Sequence, residues 1–445
     1  MDLLQQLVRQ GIAHHKAGKF NEAEVIYNRV LNREPENEDL LFLLGDLYLR
    51  KEFNGLAINL LSGLLRRNPK NGGAWCNLGI GYRKENDYTR ALDCWHKSIK
   101  AGGETPEVCN NIAGLYADRA EPAVALEWLQ KSLKARPEDT EGNWLKALAL
   151  LSLKQWDEGW KQYEWRRKLP SWDSREIVKA PDWDGSYVDS LYIHGEQGVG
   201  DEVMFACCLP FVKAKHVTVE VHHKVAPLIQ KSFPDFDVVT EPHASEYDAK
   251  IPIGSLVRLL GFNTEPYLNP DPWRVEFYRD ELKKLGPGPY VALTWVGGTK
   301  MTRVEDRSLT LDRLRPIMDA YTCVSAQYHD NNPIVEQQRK AAGLAKINDE
   351  STGNDLHEQA ALLRAVDSVV TVQQTAVHVA GGVGAKTYAL IGRRPHWRYG
   401  IEGDKLPFYR DVRLYRQAED WPIERLKADL DADLRRVPRA EQATA

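Results

Sequence analysis

A register of 34 residues runs through the first third of this chain. Gly11, Gly45, Gly79 and Ala113 are each 34 apart, and so are His14, Tyr48, Tyr82 and Tyr116. Ala23, Ala57, Ala91 and Ala125 keep the same step, as do Pro35, Pro69, Gly103 and Pro137. Four columns in phase define a repeated unit, and this period is that of a helix–turn–helix. The small residue lets two helices approach closely, and the aromatic is expected to fill the gap beside it. Pro, or Gly103 in the third unit, ends the second helix. One helix pair cannot bury its apolar stripe alone, so neighbours stack into a curved array with a long groove. Such a groove implies a peptide or protein partner. A degenerate fifth unit carries Ala147 and Gly159 and runs into WDEGWKQYEWRRK (156–168). That segment is expected to cap the array and bury Trp156, Trp160 and Tyr163 against the next domain.

At 445 residues the chain is too long for one core. A net charge of -4 and a pI near 6.3 leave no general basic footprint for nucleic acid. The six cysteines (Cys76, Cys94, Cys109, Cys207, Cys208, Cys323) form no CxxC pair. They read as reduced thiols in a cytosol, with no metal site. The N-terminal MDLLQQLVRQ lacks a basic region followed by an apolar run, and no stretch is long enough to span a bilayer. A cytoplasmic location is the expectation.

From residue 190 the pattern changes. SLYIHG (190–195), VTVEV (217–221), DVV (237–239) and AKIPI (249–253) read as strands separated by helical stretches. YVALTWV (290–296), CVSAQ (323–327), SVVTV (368–372) and TYALI (387–391) repeat the scheme. Strands alternating with helices predict parallel sheets that bind ligands at their carboxyl ends.

Four segments could carry chemistry. In HGEQGVGDEVMFA (194–206) a strand ends, Gly198 and Gly200 turn the chain, and Asp201 starts a helix. Asp201 can cap that helix or act as a general base. TWVGGTKMTRVEDRSL (294–309) places Gly297 and Gly298 at a strand end, followed by Lys300, Arg303 and Arg307. Free amides and cations there suit a diphosphate. In SVVTVQQTAVHVAGGVGAKTYALI (368–391), Gln373, Gln374 and Thr375 occupy a strand-to-helix turn whose N–H groups form an anion site. His378 either donates to a phosphate or packs. RRPHWRYGIEGDKLPFYRDVRLYRQ (393–417) reads as a loop, with Trp397 or Tyr399 able to stack and Arg394 or Arg398 able to pair with phosphate.

The 34-residue register resembles the tetratricopeptide repeat. The four later segments, with EQGVGD (196–201), VGGTK…DRS (296–308), VSAQ (324–327), QQTAVHVAGGVGAK (373–386) and WRYG (397–400), resemble the glycosyltransferase domain of bacterial tetratricopeptide-repeat glycosyltransferases. That domain is similar to heptosyltransferases and, distantly, to protein O-GlcNAc transferases. The resemblance implies an N-terminal all-α repeat superhelix followed by an α/β GT-B domain of two Rossmann-like halves. The expected domains are 1–168 (repeats and cap), 169–286 (acceptor side, with the base) and 287–445 (donor side).

By the same resemblance Asp201 is the base, and Lys300 and Arg307 contact donor phosphates. Gln327 sits beside the nucleotide, and the 373–378 turn binds phosphate. The donor set is completed by Gly297, Gly298, Arg303, Trp397 and Arg398, and Glu196 and Gln197 fall on the acceptor side. Many relatives carry Asp-Thr where this chain has Gln373-Gln374, so a carboxylate is lost there while backbone donation survives. The mechanism implied is metal-independent, with no cofactor and with a nucleotide-sugar of UDP, GDP or ADP type as substrate. Asn77 and Asn111 share one repeat position, held by Arg9 and Leu43 in the first two repeats, and resemble two rungs of a peptide-holding asparagine ladder, with helix packing as the alternative. The array can also serve oligomerisation. Two alternatives stand beside transfer to a protein: a non-catalytic repeat scaffold with a degenerate transferase domain, and a transferase acting on glycan, lipid or nucleic acid.

Overall fold

The computed structural model describes residues 3–170, 172, 178–242, 246–298, 304–328, 333–348 and 355–435. The chain forms two compact units that divide between Leu150 and Leu151.

The first unit is helical: α1 (Leu3–Lys16), α2 (Phe20–Leu31), α3 (Glu38–Arg50), α4 (Asn54–Arg67), α5 (Gly72–Lys84), α6 (Tyr88–Gly102), α7 (Pro106–Asp118), α8 (Pro122–Ala135) and α9 (Thr140–Ser152), which crosses the division. The small column works as expected, but its filler comes from the second helix of each pair. A Cβ on Gly11 would lie 2.7 Å from the Tyr27 ring, and one on Gly45 would lie 2.7 Å from Leu61. On Gly79 it would run into Trp95. Tyr27, Leu61, Trp95 and Leu129 all stand 16 positions after the small residue and are fully buried. The Tyr48, Tyr82 and Tyr116 column therefore does not fill the gap. It is half-buried, with Arg90 over Tyr82 at 4.6 Å and Arg119 over Tyr116 at 5.8 Å.

Two further columns share the period. Asn37, Asn71, Thr105 and Asp139 cap the first helix of successive units. They accept the backbone N–H of Leu40, Ala74, Val108 and Gly142 at 3.1, 2.9, 3.4 and 2.7 Å. Gly18, Glu52, Asn86, Ala120 and Lys154 hold the turn between helices with φ of 73, 61, 61, 60 and 59°. A Cβ in this left-handed region costs about 1–2 kcal/mol. Ala120→Gly is therefore expected to stabilise the repeats by ~1 kcal/mol, read as a higher urea midpoint in far-UV circular dichroism of the whole chain. An unchanged or lower midpoint would show that the turn is not strained.

The second unit begins inside the fifth repeat. Trp160 on α10 (Trp156–Tyr163) packs edge-on against Phe205, Trp397 and Phe408, with ring centroids 6.2, 5.6 and 6.4 Å away. These aromatics draw α10 and the 3-10 turn Glu164–Lys168 into the α/β unit, ahead of the expected boundary at 168.

The first sheet holds β1 (Val188–His194), β2 (Ala214–Glu220), β3 (Asp237–Val239) and β4 (Ala249–Pro252), all parallel, in the order β3-β2-β1-β4. Helices α11 (Val199–Phe205), α12 (Ala226–Ser232) and α13 (Leu256–Leu260) follow β1, β2 and β4. Next come α14 (Pro272–Leu285) and the second parallel sheet: β5 (Tyr290–Leu293), β6 (Thr322–Ser325), β7 (Ser368–Val372), β8 (Thr387–Ile391) and β9 (Val412–Arg416), in the order β6-β5-β7-β8-β9. Its helices are α15 (Val304–Arg307), α16 (Arg315–Met318), α17 (Pro333–Ala342), α18 (Leu356–Ala365), α19 (Thr375–Gly382) and α20 (Ile423–Arg435).

Two details depart from expectation. Helix α14 precedes the expected boundary at 286 but packs on α18, where Tyr278 donates to Glu358 at 2.7 Å. The segment 393–417, expected to be a loop, contains edge strand β9. Its arginines mask the period: Tyr415 is buried while Arg413 is exposed.

Candidate functional site

Strand order locates the crevices. In each parallel sheet the chain leaves the central strands in opposite directions, at β1/β4 in the first sheet and at β5/β7 in the second, and a ligand crevice opens beyond such a switch point.

The first crevice is filled from within. Glu196, just past β1, is 6% exposed. It accepts from Arg166 Nε at 2.7 Å and Nη2 at 2.6 Å, and from the Gly254 backbone N–H at 2.8 Å. Arg166 also donates to Ser255 Oγ at 2.8 Å and Glu164 Oε1 at 3.0 Å. Burial opposes the Arg166 charge, but the Glu196 carboxylate outweighs it and holds the guanidinium above its ordinary range. The Glu196 side chain thus belongs to a buried ion pair, where an acceptor contact was expected. Sequence reasoning missed Arg166, because the cap read into 156–168 rested on its aromatics and nothing there announces a partner 30 positions later. Gln197 is exposed, takes φ 63° and donates to Tyr163 at 2.7 Å.

The turn after β1 meets the turn after β7. A Cβ on Gly200 would lie 3.1 Å from Thr375 Oγ1 and 3.7 Å from His378 Cδ2, so glycine there lets α11 lie on α19. Gly198, at φ -131°, needs no special freedom. Asp201, in the first turn of α11, is brought beside α19 and pairs with Arg398 Nη2.

The second crevice is built from backbone. A Cβ on Gly297 would lie 2.5 Å from the Gln373 carbonyl, and Gly298 has φ 79°. Gly297 N–H donates to Ser308 Oγ at 3.0 Å, which ties the returning loop to the end of β5. Lys300 and Arg303 lie outside the described residues. Arg307 ends α15, and its charge helps to depress His396. Gln327, 1% exposed, accepts from Trp295 and Val296 N–H at 2.8 and 2.9 Å and donates to the Val296 and Tyr328 carbonyls at 2.9 and 2.8 Å. Its side chain therefore braces β5, leaving its backbone as the part able to meet a nucleotide.

Gln374 caps α19 with its backbone alone, so the first helical N–H groups have no intrahelical acceptor. Gln373 is 1% exposed. Its Oε1 accepts from His396 N–H at 3.3 Å, while its Nε2 has no partner. Gln374 Nε2 and Arg398 Nε also lack partners. His396 Nδ1 lies 2.6 Å from Arg398 Nη1. Burial, reinforced by Arg307 and His378, lowers His396 to about 3, so the ring is neutral and accepts.

His378 is buried and its Nδ1 lies 3.1 Å from Tyr409 Oη. Burial pulls it down to about 4, and it packs with Tyr409 as a neutral ring. Trp397 is buried against Trp160 and Tyr163, with centroids 5.6 Å from each, so it has no free face for a base. Arg394 pairs with Asp306 at 2.7 Å. In the repeat unit Asn77 is buried, and Asn111 donates to Cys76 Sγ at 3.4 Å, which engages it between helices. Among the described residues, no cluster of His, Cys, Asp or Glu could hold a metal, and no helix is long and apolar enough to cross a membrane.

Residues 8–71 match the tetratricopeptide repeat family. With columns of cap, turn and packing residues in phase, the N-terminal unit is a tetratricopeptide repeat array. Over 456 aligned residues the chain is 27% identical to Protein FlbA of Caulobacter vibrioides, covering 93% of this chain and 72% of that protein. Among solved structures it is similar to TTC0263, a thermophilic TPR protein of Thermus thermophilus: 20% identity, 38% of this chain, 91% of that one and a TM-score of 0.35. It is also similar to MamA of Desulfovibrio magneticus: 19% identity, 31% of this chain, 77% of that one and a TM-score of 0.28.

Proposed function

We propose that the second unit is a GT-B glycosyltransferase that moves a sugar from a nucleotide-sugar to an acceptor hydroxyl, and that the repeats recruit a protein acceptor. One observation carries this reading. At the β5/β7 switch point, an α19 start with no side-chain cap is ringed by unpartnered donors on Gln373, Gln374 and Arg398, and Asp201 stands beside it. Donors without acceptors at a helix start suit a diphosphate.

In the reaction the acceptor oxygen bonds to the anomeric carbon and its proton passes to Asp201. The bond from that carbon to the diphosphate oxygen breaks, and its electron pair leaves with the nucleoside diphosphate. The α19 amides, Arg307 and Arg398 neutralise the developing charge. Replacement of a carboxylate by Gln373-Gln374 removes a negative charge from the phosphate side and leaves main-chain donation intact.

The alternative is a scaffold whose second unit no longer turns over, and the pairing of Asp201 with Arg398 favours it. A thermal-shift panel of UDP, GDP, ADP and their sugars separates the two. A bound ligand at 100 times its Kd adds about 2.7 kcal/mol and raises Tm. If no nucleotide shifts Tm, the scaffold reading holds.

A further inference from the structure

A continuous chain of polar contacts joins the β7 turn to Asp201. Gln373 Oε1 holds the His396 backbone N–H at 3.3 Å, His396 Nδ1 lies 2.6 Å from Arg398 Nη1, and Arg398 Nη2 pairs with Asp201 Oδ1. Arg398 and Asp201 side chains are 11% and 16% exposed, so water screens the pair poorly. His396, neutral at ordinary pH, accepts from one side of the guanidinium and thereby aims the other side at the carboxylate. Arg398 Nε remains without an acceptor. The guanidinium is thus a five-donor fork holding one carboxylate, placed within two residues of a backbone that is bonded to the expected phosphate turn.

From this we infer that Arg398 is shared between two anions: the Asp201 carboxylate when the donor site is empty, and the donor diphosphate when it is filled. The inference rests on the nucleotide-sugar reading above. A carboxylate paired with a guanidinium is a weaker base, so Asp201 takes a proton from an acceptor hydroxyl less readily in that state. A diphosphate carries more charge than one carboxylate and offers oxygens in the bidentate spacing that the fork prefers. Its arrival draws Arg398 away and frees Asp201. Donor binding therefore precedes activation of the acceptor. His396 is a positioning residue in this scheme and Arg398 is the gate.

The test is a double-mutant cycle on nucleotide affinity in the full-length protein, with UDP, GDP and ADP as probes and calorimetric Kd as the readout. The variants are Asp201→Asn, Arg398→Gln and the double replacement. Asp201→Asn is expected to tighten nucleoside diphosphate binding about tenfold, because Arg398 no longer has to leave a carboxylate. In the Arg398→Gln background the same replacement is expected to change Kd by less than about threefold. Equal tightening in both backgrounds would mean plain repulsion between Asp201 and the phosphates, and would overturn the gate. No tightening in either background would overturn it too. If none of the four proteins binds any of the three nucleotides, the transferase reading itself falls and the gate with it. Arg398→Lys provides the same cycle, with the charge kept and the fork lost, should Arg398→Gln not fold.

Discussion

Asp201→Asn is expected to lower release of nucleoside diphosphate from the nucleotide-sugar that the protein turns over by roughly a hundred- to ten-thousand-fold. The amide is nearly isosteric and keeps the α11 turn, so far-UV circular dichroism should change little, while Tm is expected to fall because Arg398 loses its carboxylate. The amide cannot accept the hydroxyl proton. Loss of turnover with unimpaired or tighter diphosphate binding would be specific to this account, because a damaged site loses both. Wild-type turnover in Asp201→Asn would remove Asp201 from the chemistry.

The second large effect is on stability. Arg166→Met is expected to destabilise the second unit by about 3–5 kcal/mol, since it leaves Glu196 buried and without its cation. The carboxylate accepts two guanidinium donors and one backbone N–H, and it loses the first two together. Pairing Arg166→Met with Glu196→Leu should recover most of the loss, because the buried charge goes as well. Urea denaturation followed by tryptophan fluorescence reads both, as Trp160 and Trp397 lie in the same aromatic cluster. A loss below about 1 kcal/mol for Arg166→Met would mean that the pair is solvated.

Much of the fold can be read in the sequence because it depends on local pattern. SVVTV and TYALI are β7 and β8 residue for residue, since both are apolar runs buried on both faces. The 34-residue step reports the helix pairs directly. Its meaning is harder to read: the partner of Gly79 is Trp95 on the next helix, 16 positions away, and no local spacing within one helix reveals it. The cap column of Asn37, Asn71, Thr105 and Asp139 was present in the sequence, two residues after each Pro or Gly103. Strand β9 was hidden because Arg413 and Arg416, three positions apart, break the two-residue period of a strand and look like part of a phosphate-binding loop.

The site divides along the same line. Gly297, Gly298, Gly200 and the Gln373–Thr375 turn lie at strand ends, where the topology puts ligands, and the sequence points to them. Side-chain partners are a different matter. Gln327 turns inward to brace β5, Glu196 pairs with Arg166 from 30 positions earlier, and Asp201 pairs with Arg398 from nearly 200 later. Such pairings depend on how elements pack, and nothing in the flanking residues announces them.

The central claim is that the β5/β7 crevice takes a diphosphate on the start of α19. A crystal structure of the protein with the nucleoside diphosphate that raises Tm most tests it directly. The account predicts phosphate oxygens on the Thr375 and Ala376 N–H groups, with Arg398 turned from Asp201 onto the diphosphate. A diphosphate bound elsewhere, or an empty crevice with Arg398 still on Asp201, would contradict it.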